Sequence, residues 1–395
     1  MQKFGLLPRL ILAIVLGIAL GAYAPEFIVR ILVTFNGIFG SFLGFIIPLI
    51  ILGFIAPGIG ELGARAGKML GITAGLAYAS TIIAGTLAFF VSSLVLPQMI
   101  EVGSFLTSGI ADAEAANVKP IIELAFPPIM GVMTALLLAF TLGLGIAAIQ
   151  GDTLRKFMND FQEIVKKVIT NVIIPLLPIH IMGIFANMTY GGKTAMILSV
   201  FAKVFVMIVL LHITYLLIQY TVAGSVAGAN PFRLIKTMLP AYFTAIGTQS
   251  SAATIPVTLR QTKRNGINED VADFAVPLCA TIHLSGSTIT LVSCAMAVML
   301  LNDMPTTFTA MFPFILMLGV TMVAAPGVPG GAVMAALGLL ESMLMFDPTL
   351  TALMIALYLA QDSFGTAGNV TGDGALATII NRISGHKLEK VSEEV

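Results

Sequence analysis

The chain has no tryptophan, only two cysteines in 395 residues, and charged side chains at just 10% of its positions. Soluble domains carry charge at about a quarter of their positions, so this scarcity excludes an ordinary soluble globule. Without tryptophan, no Trp belt marks where a spanning segment meets the lipid headgroups. Cys279 and Cys294 both stand inside apolar sequence, offer no metal or disulfide spacing, and read as packing residues. A Gly-rich phosphate loop, a metal-ligand cluster and a nucleophile–base pair are also missing, and the Ser250-Ser251 pair has no fitting base nearby. An intramembrane enzyme therefore lacks a catalytic constellation.

Apolar residues are what the chain does have: 57% of positions, with a mean hydropathy of +0.99. Runs of about 18 or more apolar residues, enough for a helix to cross a bilayer, recur from end to end, which points to helices rather than barrel strands. The first, Leu6–Ala24, is too long for a signal-peptide core and is followed by no A-x-A-like cleavage site, so it reads as a retained span. Spans two to four follow at about Phe35–Ile59, Met69–Leu96 and Pro120–Ile149. The charged, amphipathic Asp152–Lys167 flows into span five, which ends near Tyr190, and span six covers about Thr194–Val222.

The pattern then changes. Met238–Leu259 is broken by Gly247-Thr248-Gln249-Ser250-Ser251, and two short apolar arms around a polar tip read as a hairpin that enters and returns on one side. Span seven, Val271–Leu301, is interrupted from Thr281 to Thr288. A second hairpin, Phe308–Met345, is broken from Ala325 to Gly331, and span eight runs over Pro348–Ile383. Eight spans with two re-entrant hairpins put both termini in the cytoplasm. Of the 20 Lys and Arg, all but Arg30, Lys119, Lys193 and Lys203 then lie on the cytoplasmic side, as the positive-inside rule requires. The order hairpin–span–hairpin–span suggests an inverted repeat. Such repeats hold solute and ions at the midplane, where half-helix N-termini meet a carboxylate and free carbonyls meet a cation.

Span eight carries the most informative stretch. On a helix, Asp362, Thr366, Asn369 and Asp373 share one stripe, with Gly365, Gly368 and Gly372 close by to admit another backbone or a ligand. Two carboxylates at membrane depth are costly and face a bundle interior, a water-filled cavity or a cation. The other reading, a helix end whose acids reach the headgroups, sits poorly with apolar sequence on both sides. The stretch reads as the wall of a site for a small solute and a cation.

Four motifs, in order over about residues 240–380, carry a resemblance: Ser250-Ser251-Ala252-Ala253-Thr254-Ile255-Pro256-Val257-Thr258, Val276-Pro277-Leu278-Cys279-Ala280-Thr281-Ile282, Gly327-Val328-Pro329-Gly330 and Asn369-Val370-Thr371-Gly372-Asp373. They resemble the dicarboxylate/amino acid:cation symporters, the glutamate-transporter family; the N-terminal half is similar in span pattern only. The resemblance implies an all-α polytopic protein of a prokaryotic inner membrane, embedded in lipid as a homotrimer. Residues 1–225 would be mainly scaffold, with span three packing on the transport domain. Residues 226–385 would form a transport core that moves like an elevator, and 386–395 a cytoplasmic tail. By motif position, Asp362 would receive the substrate amino group, and Asn369 with the backbone of Ser251 and Val328 its carboxylate. Thr366, Ser250, Ser287 and Gly365 would line the same site. One Na+ would sit at Asp373, Asn369, the Cys279 carbonyl and the His283 position. A second would sit at Thr281 and carbonyls near Val323 and Ala325, in a hairpin that acts as the extracellular gate.

Four departures bear on substrate and ions. The family's acidic-substrate members have an arginine where Gly365 stands, and many have another at the Gln249 position. Without either, a dicarboxylate brings a second negative charge with no fixed cation to meet it, which favours a neutral amino acid with Gly365 leaving room for its side chain. Acidic amino acids or dicarboxylates remain the alternative substrates. Ser285 replaces a carboxylate that binds a further sodium with span-three residues whose counterparts are Ser80 and Thr81, so that site is expected to be lost. His283 replaces an amide, either as a packing residue or as a proton-binding group beside Asp373 that would couple transport to protons. The implied cation is one or two Na+, with proton coupling open. A third class, an uncoupled channel or receptor, fits Asp362 and Asp373 poorly as an anion path.

Overall fold

A computed structural model describes residues 6–64, 68–104, 118–124, 126–149, 152–191, 194–323, 325 and 329–388. Every regular element among them is helical: α1 (Leu6–Tyr23), α2 (Glu26–Ala64), α3 (Lys68–Met99), α4 (Val132–Ile149), α5 (Asp152–Val168), α6 (Ile174–Tyr190), α7 (Thr194–Ala227), α8 (Pro231–Thr248), α9 (Ser251–Arg264), α10 (Glu269–Ile282), α11 (Ser285–Leu301), α12 (Phe308–Met322), α13 (Gly331–Leu344), α14 (Pro348–Leu359) and α15 (Asp362–Ile383). Among the described residues, five stretches are long and apolar enough to cross a membrane: Glu26–Gly60, Met69–Met99, Asp152–Tyr190, Leu198–Ala227 and Glu269–Leu301. A π turn, Ile169–Ile173, joins α5 to α6. It falls just before Pro175, which has no N–H to give to the preceding turn.

The helices pack in two groups. In one, α2 packs on α4, α5 and α6, and α1 lies along α6; in the other, α15 packs on α7, α8, α9, α10 and α11, while α3 lies along α11 and α12. Contacts of α13 with α2 and of α14 with α6 join the two. Span six, expected in the scaffold, is α7 and sits against α8, α11 and α15. Every residue of α11 is buried, which suits a helix that is apolar all round.

The second half repeats one pattern: a helix pair (α8/α9), a broken helix (α10 then α11), another pair (α12/α13) and another broken helix (α14 then α15). Each start has a local cause. Asn230, Ser250, Asn268 and Asp347 accept from backbone N–H groups of the first turns of α8, α9, α10 and α14. Gln249 turns the chain between α8 and α9 in a left-handed conformation (φ 52°), and Gly330 does so before α13 (φ 74°). Two expectations shift. Residues 118–130, as far as described, are not helical, since Pro120, Pro127 and Pro128 cannot donate, and the helix of span four starts only at Val132. Span eight is not continuous but breaks at Ala360-Gln361, so Asp362 opens α15, where a carboxylate meets the positive end of the helix.

Candidate functional site

The two helix breaks and the tips of the two helix pairs meet around α15. Asn369 holds the start of α11: its Oδ1 accepts from the N–H of Gly286 (2.8 Å) and of Ser287 (3.1 Å), and its Nδ2 donates to Ser287 Oγ (2.9 Å). Leu284, the residue before α11, has no side chain that can cap, so Asn369 caps the helix from a distance. One amide hydrogen of Asn369 is left for a ligand. This close approach needs glycine. A Cβ on Gly286 would lie 2.3 Å from the Gly365 carbonyl oxygen, and one on Gly368 3.3 Å from Gly286 Cα. Gly365 and Gly368 thus admit the backbone of α11, the first of the two uses open to them from sequence. The space expected beside Gly365 is narrow: a Cβ there would meet Thr290 Oγ1 at 3.3 Å and Ser287 Cα at 3.4 Å.

Asp373 lies four residues on from Asn369, fully buried. Its Oδ1 is 2.8 Å from His283 Nδ1, and its Oδ2 has no hydrogen-bond partner among the described residues. His283 Nε2 is 2.9 Å from Ser80 Oγ, which also receives Gln219 Nε2 (3.0 Å), while the Tyr215 hydroxyl donates to the Ser80 carbonyl (2.6 Å). The Ser80 hydroxyl also lies 2.9 Å from the Tyr215 hydroxyl, so its hydrogen can go to Tyr215 or to His283 Nε2, while the His283 Nδ1–H is placed to donate to Asp373. A buried carboxylate with one free oxygen fits a cation. The Cys279 carbonyl accepts from the His283 N–H (2.8 Å) and has a second lone pair.

Both hairpin tips reach the first two residues of α15. Gly330 N–H donates to Asp362 Oδ2 (2.7 Å), and Gln249 Nε2 donates to Ser363 Oγ (2.8 Å). Ser250 caps α9 through Ala253 N–H, and Ser251 begins that helix, buried. Thr366 is buried on the same stripe as Asp362 and Asn369. Val323 packs in the apolar cluster of Cys279 and Ile282, which brings the end of α12 to the end of α10. Thr281 is exposed, and its hydroxyl donates to the Leu278 carbonyl (2.7 Å) on its own helix rather than to Val323 or Ala325. Ser285 Oγ, at the position of the missing carboxylate, is buried without a partner. Val328 lies outside the described residues, as does Lys193.

Sequence reasoning passed over α7. His212 Nε2 lies 2.9 Å from the Gly286 carbonyl, Gln219 and Tyr215 complete the cluster at Ser80, and the Tyr220 hydroxyl donates to the Thr371 carbonyl (2.7 Å). The signal was present: His212, Tyr215 and Gln219 are spaced by three and four, a polar stripe on an apolar helix. A separate cavity of about 780 Å³ lies between α2, α6, α13 and α14, with no lining residue on α10, α11 or α15.

Buried carboxylates at the breaks of apolar helices define a helical membrane protein built to hold a polar solute. The sequence matches the model of the sodium:dicarboxylate symporter family over residues 6–383, and the chain belongs to that family. It is a membrane symporter and not an enzyme. It is similar to the serine/threonine transporter SstT of Streptococcus suis, 27% identical over 354 residues that cover 84% of this chain and 94% of that protein. SstT of Acinetobacter baumannii is 25% identical over 352 residues, 84% of each chain. Human excitatory amino acid transporter 1 is 26% identical over 257 residues, 62% of this chain but only 46% of that protein.

Proposed function

We propose that the protein couples inward sodium movement to uptake of a small neutral amino acid of the serine and threonine kind. One observation carries the reading: among the described residues Asp362 and Asp373 are buried while no Lys or Arg is. An α-ammonium can pair with Asp362 and a sodium ion with Asp373, but a second substrate carboxylate would meet no cation. The names of the two SstT relatives support the same substrate class.

In this reading the remaining amide hydrogen of Asn369 and the N-termini of α9 and α13 hold the substrate carboxylate, with Ser250, Ser251, Ser287, Val328, Gly365 and Thr366 around it. Asp373, Asn369, Cys279 and His283 surround one sodium; Thr281, Val323 and Ala325 surround a second. Ser285 offers no charge for a third. The α8/α9 and α12/α13 pairs are re-entrant hairpins among eight spans arranged as an inverted repeat. The group around α15, α3 and α7 included, moves as an elevator against a scaffold of α1, α2, α4, α5 and α6 in an inner-membrane homotrimer with cytoplasmic termini.

Uptake by purified protein in liposomes tests this, with labelled serine, threonine, alanine, glutamate and aspartate under imposed sodium or proton gradients. Sodium-driven accumulation of serine or threonine is expected. Preference for glutamate or aspartate would overturn the charge argument, protons alone as driver would overturn the sodium assignment, and flux that no gradient drives uphill would make the protein a channel. Asp362→Ala is expected to cut apparent affinity for every amino acid by about a hundredfold and leave sodium binding to the empty carrier in place. Calorimetric titration with sodium and serine separates the two.

A further inference from the structure

The break between α14 and α15 holds polar groups that the roles above do not use. Tyr358, in the last turn of α14, is fully buried, and its hydroxyl has no hydrogen-bond partner among the described residues. The side chains of Asp362, Ser287 and Cys294 lie near that hydroxyl. Gln361 sits in the break itself: its Nε2 donates to the Leu357 carbonyl (3.2 Å) and to Cys294 Sγ (3.6 Å), and its Oε1 is buried without a partner. A phenol contributes to packing through its ring, which phenylalanine would supply equally, whereas a buried hydroxyl without a partner is costly. Two such unsatisfied groups, one of them able to donate and both able to accept, stand beside the carboxylate proposed to take the substrate ammonium.

The geometry nearby limits what can reach them. Gly365 has no side chain, and Ser287 and Thr290 close in on it, so the wall is short, polar and uncharged. In serine and threonine the side-chain hydroxyl is one carbon from the carbon that bears the ammonium. An ammonium on Asp362 therefore brings that hydroxyl next to its neighbour Tyr358. Alanine would leave the phenol unpaired.

We infer that the Tyr358 hydroxyl binds the side-chain hydroxyl of the substrate, with Gln361 Oε1 as a second acceptor, and so selects serine and threonine over alanine. This rests on the neutral-amino-acid reading above. A site built to bond a hydroxyl discriminates against the analogue that lacks it, because its own polar group is then left unpaired.

Tyr358→Phe keeps the ring and removes only the oxygen. In liposomes the KM for serine and threonine is expected to rise by about five- to tenfold, with the KM for alanine within about twofold of the parent. A parallel change for all three substrates, or no change, overturns the inference. Melting-temperature shifts of the detergent-solubilised protein on adding each amino acid with sodium give a readout independent of transport. There, a variant that serine stabilises as strongly as the parent also overturns it. The parent is measured first: if it takes dicarboxylates and no neutral amino acid, the substrate class fails, while a parent that prefers serine with a variant that still does so defeats the role of Tyr358 alone.

Discussion

Asp373→Asn is expected to abolish sodium-driven accumulation, with at least about a hundredfold loss, roughly 3 kcal/mol, in apparent sodium affinity. The substitution keeps the shape of the side chain and an oxygen to accept from His283, 2.8 Å away. Ser80, Tyr215 and Gln219 can therefore stay in place, and what is removed is the negative charge. That charge is fully buried, and one of its oxygens has no partner among the described residues. A carboxylate in such a place is tolerable when a cation joins it, and the protein gains a strong preference for the sodium-bound form. Initial rates of serine uptake against sodium concentration, with and without a gradient, test this. A variant with the sodium dependence of the parent would remove Asp373 from the cation site.

Much of this site was legible in the sequence because membrane sequence is so uniform. Against a background of apolar residues, Gly247–Ser251, Thr281–Thr288 and the acidic stripe of α15 stand out, and polar or small residues at depth have few uses. The helix breaks at Gln249 and at His283-Leu284 fall inside stretches marked by composition alone. Partner choice was harder. Helices such as α7 are apolar on nearly every face, so hydropathy does not say which face meets which neighbour, and nothing local tells that His212 meets Gly286 or that Gln219 meets Ser80. Asn369 looked like a ligand for substrate and cation. That most of its amide caps α11 depends on a contact between residues 82 or 83 positions apart, which local pattern cannot supply. The break at Ala360-Gln361 left no mark because alanine and glutamine both favour helix.

Gly286→Ala carries the other large effect, and it probes geometry rather than charge. The added methyl would stand 2.3 Å from the Gly365 carbonyl oxygen and 3.1 Å from the Asn369 backbone nitrogen. Both are backbone atoms of a buried helix, so no side-chain rotation relieves the clash, and α11 must move off α15. That movement pulls the N–H groups of Gly286 and Ser287 away from Asn369 and the Gly286 carbonyl away from His212. Overpacking of this kind costs about 3 kcal/mol, and here it also takes apart the wall that faces Asp362. Uptake of serine is expected to fall to background and the melting temperature in detergent to drop. Gly75→Ala is the control, since a Cβ at Gly75 meets nothing within 4 Å and alanine favours the helix; it should leave both unchanged. If Gly286→Ala instead transports like the parent, the two helices do not meet at this glycine, and the substrate site cannot be built on Asn369 as the cap of α11.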